Sequence, residues 1–273
     1  MTDTRKSTQQ TAGKSPQLRG FLTTNRLSNE IWNIPPHDLK FLPDEVHVWR
    51  ADLSKHHLVE PQALVLLSEE ERDRFRRYLR LEDASRYAVT RSLLRRILGQ
   101  YLNEPADHLV FRYGKYGKPA LASRCASENL YFNVSHSEDM AIFAFTYASE
   151  VGVDVEYIRF IDDFEAIADR HFSRAENYRL RQAEPRQQLL NFYRLWTCKE
   201  AFTKALGVGL SNGLGYFDIM LTAESRAVLL SIETDTTEAS NWCIKETMPA
   251  AGYASSVALR SSNSCFRYWS LNL

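Results

Sequence analysis

Several short stretches of the chain alternate apolar and polar residues, and a period of two predicts β-strands. The first is EVHVWRADL, residues 45–53. Further along, LYFNVSHS and MAIFAFTY predict two strands around a turn, within residues 130–147. The stretch HLVFRYGKYGKPAL, residues 108–121, predicts a strand, a glycine turn and another strand.

Residues 67–102 instead have the period of α-helices. Ser68 and Glu71 have the spacing of a capping box, so the first helix is expected to begin there. A second helix is expected from Ser85 to Leu102, ending near Gly99.

The second half of the chain repeats this order. EVGVDVEYI resembles the first strand, FSRAENYRL resembles the start of the first helix, and LNFYRLWTCKEAFTKALG resembles the second helix. Three further predicted strands follow: GYFDIML, WCIKETM and YASSVALR. We therefore predict an α+β fold of two similar halves related by a pseudo-twofold, with a cleft between them. The predicted parts are a polar, partly disordered leader (1–42), a first half (43–148) and a second half (149–273). Such an internal pair needs no partner subunit, so a monomer is expected.

Composition places the chain among ordinary globular proteins. Lys plus Arg and Asp plus Glu number 34 each, so no overall field favours nucleic acid or an anionic membrane. No apolar run reaches the roughly 20 residues that a membrane span needs, and the N-terminus lacks a secretory signal. The four cysteines have no CxxC spacing, which favours reduced thiols and a cytoplasmic protein.

The strand VGVDVEYI carries the first chemical signal. Side chains alternate across a strand, so Asp154 and Glu156 share one face while the valines share the other. Two solvated acids on an edge strand would explain this pattern. The alternative is a hard divalent cation, most plausibly Mg²⁺, held by oxygen ligands.

The helix RLWTCKEAFTKALG contains charged residues in an apolar setting. Glu200 and Lys204 are four residues apart, which is also the spacing of a surface ion pair. Too many of its residues are apolar for every charge to reach water, and buried charges are usually paired or bound to metal. Glu200 beside Asp154 and Glu156 would complete a three-carboxylate site, with Lys199 and Lys204 facing the same ligand.

Four motifs together resemble the 4′-phosphopantetheinyl transferases, and specifically the larger, surfactin-synthetase-activator (Sfp-like) class. The resemblance covers roughly residues 46–259, and the motifs occur in the family's order. They are GKP at Gly117–Pro119, NxSHS at Asn133–Ser137, GxDxE at Gly152–Glu156, and WxxKEAxxK at Trp196–Lys204.

The resemblance implies a reaction and its cofactors. Such enzymes transfer the 4′-phosphopantetheine arm of coenzyme A to a serine of an apo acyl or peptidyl carrier protein, and release adenosine 3′,5′-bisphosphate. It implies Mg²⁺, with Mn²⁺ as a substitute, bound by Asp154, Glu156 and Glu200. Glu200 is a candidate base for the carrier serine, with Glu176 as the alternative. Lys204 would either neutralise the pyrophosphate or protonate the leaving oxygen.

The resemblance also implies coenzyme contacts. The expected residues are Arg74, Arg86, Lys118, Ser135, His136, Lys199 and Lys204. Arginine suits phosphate because its planar fork donates two hydrogen bonds. Tyr87 departs from the small hydroxyl residue that is frequent at its position in the family, which puts its contact in doubt.

The family's carrier-docking surface corresponds to the segment after the GxDxE strand. Phe160, Ile161, Phe164 and Ile167 could be exposed anchors there, or core residues of a covering helix. Two other functions stay open: a non-catalytic protein that binds coenzyme A or a carrier, and another metal-dependent phosphotransfer enzyme.

Overall fold

The computed structural model describes residues 30–55, 61–122, 130–209, 213–222, 227–233, 235–261 and 263–271. The greater part of the predicted leader, up to residue 29, lies outside these residues. Its last part, from residue 30, packs on the body: Trp32 contacts Tyr268 and Phe41 stacks on His47. Within the described part of the chain, no helix is both long and apolar enough to cross a membrane.

The two halves have the same order of elements, a strand, three helices and four strands. The first half consists of β1 (Glu45–Asp52), α1 (Pro61–Leu66), α2 (Glu69–Arg76), α3 (Leu81–Leu102), β2 (Phe111–Tyr113), β3 (Pro119–Leu121), β4 (Tyr131–Ser137) and β5 (Met140–Thr146). The second half consists of β6 (Val151–Tyr157), α4 (Phe164–His171), α5 (Arg174–Gln182), α6 (Pro185–Leu206), β7 (Phe217–Leu221), β8 (Ala227–Ile232), the added short helix α7 (Thr236–Ala239), β9 (Cys243–Thr247) and β10 (Tyr253–Leu259). A last strand, β11 (Cys265–Leu271), follows.

Strand pairing confirms the α+β prediction and the internal repeat. The first sheet has the order β11-β1-β5-β4 and the second has the order β6-β10-β9. The antiparallel sets β1-β5-β4 and β6-β10-β9 therefore have equivalent connections. β2 pairs with β3 and β7 pairs with β8, both as antiparallel hairpins.

Three features of the fold differ from the sequence-based predictions. β11 runs parallel to β1, so the last strand lies in the first half's sheet although it was assigned to the second half. The helix expected from Ser85 to Leu102 begins four residues earlier, at Leu81, and ends at Leu102 as expected, where Asn103 has the left-handed conformation. β8 and β11 were not predicted.

The core has layers that follow from the apolar positions. Valines of β1, β6 and β10 meet between the two sheets and exclude water there. On its other side the first sheet packs against α3, and the second sheet packs against α6. Each long helix thus covers one sheet, and the sheets lie back to back.

A buried polar network fixes the outer edge of the first sheet. The indole N–H of Trp49 can only donate, so the Tyr101 oxygen accepts it at 2.7 Å. The Tyr101 hydroxyl then donates to Nδ1 of His47, also at 2.7 Å, and Nε2–H of His47 donates to Glu45. Glu45 accepts a further hydrogen bond from Arg267 of β11. Nδ1 of His47 accepts in this network because burial lowers the pKa of His47 and favours the uncharged ring, whose one N–H faces Glu45.

Candidate active site in the cleft

Asp154 and Glu156 lie on the same face of β6, as alternation requires. Asp154 is buried and Glu156 is half-buried. Both side chains lie at the edge of the second sheet that is next to β4 of the first sheet. The solvated edge strand is therefore the wrong alternative, because these carboxylates lie inside the molecule.

Side chains of the NxSHS motif join β4 to β6. Asn133 Oδ1 accepts a backbone N–H of β6 at 2.9 Å. Ser135 Oγ donates to Asp154 at 2.9 Å, and Ser137 Oγ donates to Glu156 at 2.8 Å. The alternating positions of the motif thus connect the two sheets and orient both carboxylates.

α6 approaches β6 closely because Gly152 has no side chain. A Cβ at Gly152 would lie 1.9 Å from the carbonyl oxygen of Ala201 and 2.4 Å from the backbone nitrogen of Ala205. This contact places Glu200 and Lys204, which precede those two residues in α6, beside the carboxylates of β6. The first position of the GxDxE motif is thereby explained by packing.

Lys204 is the cation closest to the acidic residues. Its Nζ lies 2.6 Å from Asp154 Oδ1 and 3.1 Å from Ser135 Oγ. The other carboxylate oxygen, Asp154 Oδ2, is buried and has no hydrogen-bond partner. One oxygen of Asp154 is therefore free for a further positively charged ligand.

Burial, together with the neighbouring carboxylates, raises the pKa values of Glu156 and Glu200. Burial, and then the charges of Asp154 and Glu156, raises the pKa of Glu200 to about 7, against a smaller opposite effect of Lys204. Burial and the charge of Asp154 likewise raise the pKa of Glu156. The three acids interact, which is the situation a divalent cation would relieve.

The donor set fits such a cation. Carboxylate oxygens are the ligands that Mg²⁺ and Mn²⁺ prefer, and Asp154 Oδ2 is an unpartnered acceptor inside the cluster. In the described residues, however, no three His, Cys, Asp or Glu side chains are grouped closely enough to hold a metal ion as they stand. Among the described residues, Lys204 pairs with Oδ1 of Asp154, which leaves the buried Oδ2 as the oxygen without a partner.

The cleft continues from these residues towards the first half. A cavity of about 410 Å³ is lined by Glu200 and Lys204 on one side and by Gly117, Lys118 and Pro119 on the other. Gly117 also lines a larger cavity of about 620 Å³. The other lining residues of the larger cavity are Glu70, Arg74, Arg77, Tyr78, Tyr87 and Tyr113.

Arg74 and Arg86 have different surroundings. The guanidinium of Arg74 is exposed and lies 5.3 Å from the ring centre of Tyr87, which is buried against Tyr78. Arg86 instead pairs with Asp139 at 3.0 Å and also contacts Asp83 and Glu138. Arg74 is available to a ligand, whereas the charge of Arg86 is already compensated.

Lys118 lines the smaller cavity, and His136 lies on β4 between Ser135 and Ser137. Lys118 Nζ pairs with Glu150 at 2.6 Å and donates to the carbonyl oxygen of Ala205, so it ties the GKP loop to α6. His136 is exposed, unlike the serines on either side of it. Desolvation of the ring by surrounding protein atoms, and then the positive charges of Lys204 and Arg86, lowers the pKa of His136.

Lys199 and Glu176 are not in the cleft, contrary to the expected ligand-facing and catalytic roles. Both side chains are fully buried and pair with each other at 2.7 Å. Glu176 belongs to the capping box of α5 with Ser173. A side chain without access to solvent cannot contact a diffusible substrate in this conformation.

The segment after β6 divides between the two alternatives raised by its sequence. Phe160 is exposed, with 72% of its surface accessible. Ile161, Phe164 and Ile167 pack against the core beneath α6. The covering-helix interpretation is therefore confirmed for three residues, and Phe160 alone remains as an exposed anchor.

Comparison with known proteins places both halves in one family. Residues 150–258 match the family described as the 4′-phosphopantetheinyl transferase superfamily. Residues 49–148 match the family described as 4′-phosphopantetheinyl transferase, N-terminal. The two matches follow one another along the chain and agree with the division between β5 and β6.

Individual relatives agree with this result. The chain is 34% identical to 4′-phosphopantetheinyl transferase HetI of Nostoc sp. (strain PCC 7120), over 87% of this chain and 97% of that protein. It is 35% identical to 4′-phosphopantetheinyl transferase psf-1 of Bacillus pumilus, over 60% of this chain and 67% of that protein. A crystal structure of the Thermotoga maritima holo-[acyl-carrier-protein] synthase aligns at 20% identity with a TM-score of 0.33, over 41% of this chain and 62% of that one. The resemblance carried by the four motifs is thus confirmed, and the chain belongs to the 4′-phosphopantetheinyl transferase superfamily.

Proposed function

We propose that the protein transfers the 4′-phosphopantetheine arm of coenzyme A to a serine of an apo carrier protein in a Mg²⁺-dependent reaction. The observation that carries this proposal is the cluster of Asp154, Glu156, Glu200 and Lys204 at one end of a cleft, in which Asp154 and Glu200 are buried and Glu156 and Lys204 are partly buried. The other end of the cleft widens into a cavity with arginine and tyrosine side chains. The smaller cavity next to the ion site suits a pyrophosphate, and the larger cavity suits a nucleotide.

Asp154, Glu156 and Glu200 would hold the ion. When bound, Mg²⁺ would neutralise charge on the pyrophosphate oxygens. Ser135 and Ser137 would not contact the ion, but their hydrogen bonds would keep Asp154 and Glu156 oriented towards it.

The reaction forms one bond and breaks another. The serine oxygen bonds to the phosphorus that bears pantetheine, the bond from that phosphorus to the bridging oxygen breaks, and adenosine 3′,5′-bisphosphate leaves. Glu200 is our candidate for accepting the serine proton, because it lines the cavity beside Lys204 and next to the proposed ion site. Lys204, which is partly exposed, would turn from Asp154 to a phosphate oxygen and stabilise charge on the leaving group.

The larger cavity would accommodate the nucleotide of coenzyme A. Arg74 offers an unpaired guanidinium fork to the 3′-phosphate, and Tyr87 and Tyr78 offer aromatic faces. Lys118 lines the smaller cavity beside Lys204, and the charges of Lys204, Arg86 and Arg74 act on His136. We propose His136 as a contact for a phosphate oxygen, and Lys118 as support for the GKP loop.

The carrier protein would dock near Phe160. Phe160 and Arg159 are both exposed at the end of β6, and they offer an apolar anchor beside a positive charge. An acidic helix of a carrier suits this combination. All walls of the cleft come from one chain, and we propose that the monomer is the active form.

The test is a mass measurement. The protein is incubated with coenzyme A, Mg²⁺ and a panel of apo acyl and peptidyl carriers, and each carrier is then weighed. We expect one carrier or more to gain the mass of a phosphopantetheine arm, and Asp154→Ala to abolish the gain. Asp169→Ala is the matched control, because Asp169 is exposed and pairs with Arg181 on the surface.

Two results would contradict the proposal. Binding of coenzyme A without modification of any carrier would favour the non-catalytic binding protein. Cleavage of simple phosphoesters without a carrier product would favour a different metal-dependent phosphotransfer enzyme.

A further inference from the structure

Lys199 belongs to the WxxKEAxxK motif, yet all its bonding capacity is used inside the protein. Its Nζ donates to Glu176 Oε1 at 2.7 Å and to the carbonyl oxygen of Phe217 at 2.8 Å. It also lies 4.0 Å from the ring centre of Phe217. Two hydrogen bonds and a ring face account for the three N–H groups of the ammonium.

Glu176 is equally well satisfied. Its Oε1 also accepts the backbone N–H of Ile219, and its Oε2 accepts the N–H of Ser173 in the capping box. The pair therefore links α5, α6 and β7 through one buried point.

The first half contains the same arrangement. Glu71 is the buried glutamate of the α2 capping box, and Arg95 Nε donates to it at 2.8 Å. Arg95 also donates to the carbonyl oxygen of Leu109, just before β2, and lies 4.8 Å from the ring centre of Phe111. Glutamate, cation, carbonyl oxygen and phenylalanine thus recur in equivalent elements.

The positions in the helices also correspond. Arg95 and Lys199 are each the fifteenth residue of a 22-residue helix. The next residue differs: Arg96 is exposed, whereas Glu200 lies in the cleft. The first half therefore has the same buried ion pair but no cleft residue after it. This difference separates a mechanical role of the ion pair from a catalytic one.

We propose that the Glu176–Lys199 pair is a positioning device that fixes the rotation of α6, and so sets Glu200 and Lys204 against Asp154, without touching any substrate. Lys199 precedes Glu200 directly, so a turn of the helix about its axis would move both cleft residues together. Apolar core covers α6 on its other side, and the ion pair is a directional contact of this helix, together with the hydrogen bonds of Arg194 to Glu246 and of Thr197 to Ser256. This inference rests on the proposed roles of Glu200 and Lys204.

The test compares the two halves. The variant Glu176→Gln with Lys199→Met removes both charges, so that no unpaired charge is buried, and glutamine keeps the capping box. The matched control is Arg95→Met, which leaves Glu71 paired with Arg91. A third variant, Lys199→Arg, keeps a cation at this position but makes it arginine, the residue found at Arg95 in the first half.

Three quantities are measured: resistance to urea, Mn²⁺ affinity by electron spin resonance, and kcat and KM for coenzyme A. We expect both Glu176→Gln/Lys199→Met and Arg95→Met to unfold at lower urea. Only the first should weaken Mn²⁺ binding and lower kcat, each by about tenfold or more, as for changes behind metal ligands. The KM for coenzyme A should stay within about twofold, because no contact with the coenzyme is lost. Lys199→Arg should recover most of the Mn²⁺ affinity.

Other outcomes would overturn the inference. A raised KM with unchanged kcat would make Lys199 a coenzyme contact. Equal Mn²⁺ affinity and kcat in the double variant and the wild type would leave the pair a purely structural one. If the wild type modified no carrier, the proposed function would fail, while the Mn²⁺ comparison would still decide whether the pair positions the acidic cluster.

Discussion

At the scale of single residues, the site depends on how Asp154 is compensated. One of its oxygens binds Ser135 and Lys204, and the other has no partner. A buried carboxylate without sufficient compensation is costly, which gives the cluster a need for positive charge. Lys204 meets this need in part, and its side chain is still exposed enough to move.

Lys204→Met should therefore change the response to metal. We expect a lower melting temperature in metal-free buffer, because Asp154 loses its cation, and a larger rise on adding Mg²⁺ than in the wild type. Transfer to a carrier should fall by about 100-fold, the usual scale for losing one charge-stabilising group. Lys245→Met is the control, since Lys245 lies in β9 and faces Glu30. An identical Mg²⁺ response in Lys204→Met and wild type would show that Lys204 and the ion do not share Asp154.

At the scale of elements, the distance between α6 and β6 decides whether the two sets of site residues meet. Gly152 permits this distance, because its missing Cβ is where the backbone of α6 lies. Neither clashing atom can rotate away, since both belong to the main chain.

Gly152→Ala should accordingly destabilise the protein by about 3 kcal/mol, at the upper end of the range for overpacking. Urea unfolding followed by circular dichroism measures this. Gly114→Ala is the control, because a Cβ there would come no closer than 3.7 Å to a neighbouring atom. Equal unfolding midpoints for the two variants would mean that α6 can shift without loss.

Helix starts were predictable where a local signal exists. Both capping boxes have the serine and glutamate three residues apart that the sequence displays, and both are formed. The start of α3 was missed because Arg80 precedes it without a side-chain cap. β11 has an alternating pattern, but its pairing with β1 joins residues more than 200 positions apart, which no local pattern reveals.

The same contrast between local signals and tertiary packing explains which site residues could be predicted from the sequence. The period of the strand predicted that Asp154 and Glu156 share one face, and the period of the helix predicted the same for Glu200 and Lys204. The period of the helix could not show that Lys199 turns inward, since adjacent helix residues point about 100° apart and the direction of the core depends on tertiary packing. The role of Asn133 at the seam was also missed, because that role depends on two strand edges meeting.

At the scale of the whole molecule, the His47 network closes the outer edge by joining β1, α3 and β11. Burial lowers the pKa of His47, although Glu45 opposes this effect. As the pH falls below about 6.5, the unfolded chain takes up a proton on this histidine before the folded protein does. Stability contributed by His47 is thus complete above that pH and is lost as the pH falls.

Relative to His47→Gln, we expect the free energy of unfolding of the wild type to decrease from pH 7.5 to 5.5. The opposite effect of Glu200, whose raised pKa of about 7 favours the folded state as the pH falls, is common to both proteins. Glutamine keeps a polar, uncharged side chain but removes the proton uptake. Urea titrations at pH 7.5, 6.5 and 5.5 measure the difference, in a range above the titration of Glu45, whose pKa is lowered from an ordinary value of 4.5. Parallel pH curves for the two proteins would refute this role of His47.

The repeated halves have also become unequal. Following the capping-box register, the strand positions that hold Asp154 and Glu156 in β6 correspond to Trp49 and Ala51 in β1, both of which lie in the apolar core. Arg74 and Tyr87, which line the large cavity, come from the first half alone. Under the proposed function, the nucleotide contacts and the acidic residues come from different halves, so a substitution that alters nucleotide binding need not disturb the acidic residues.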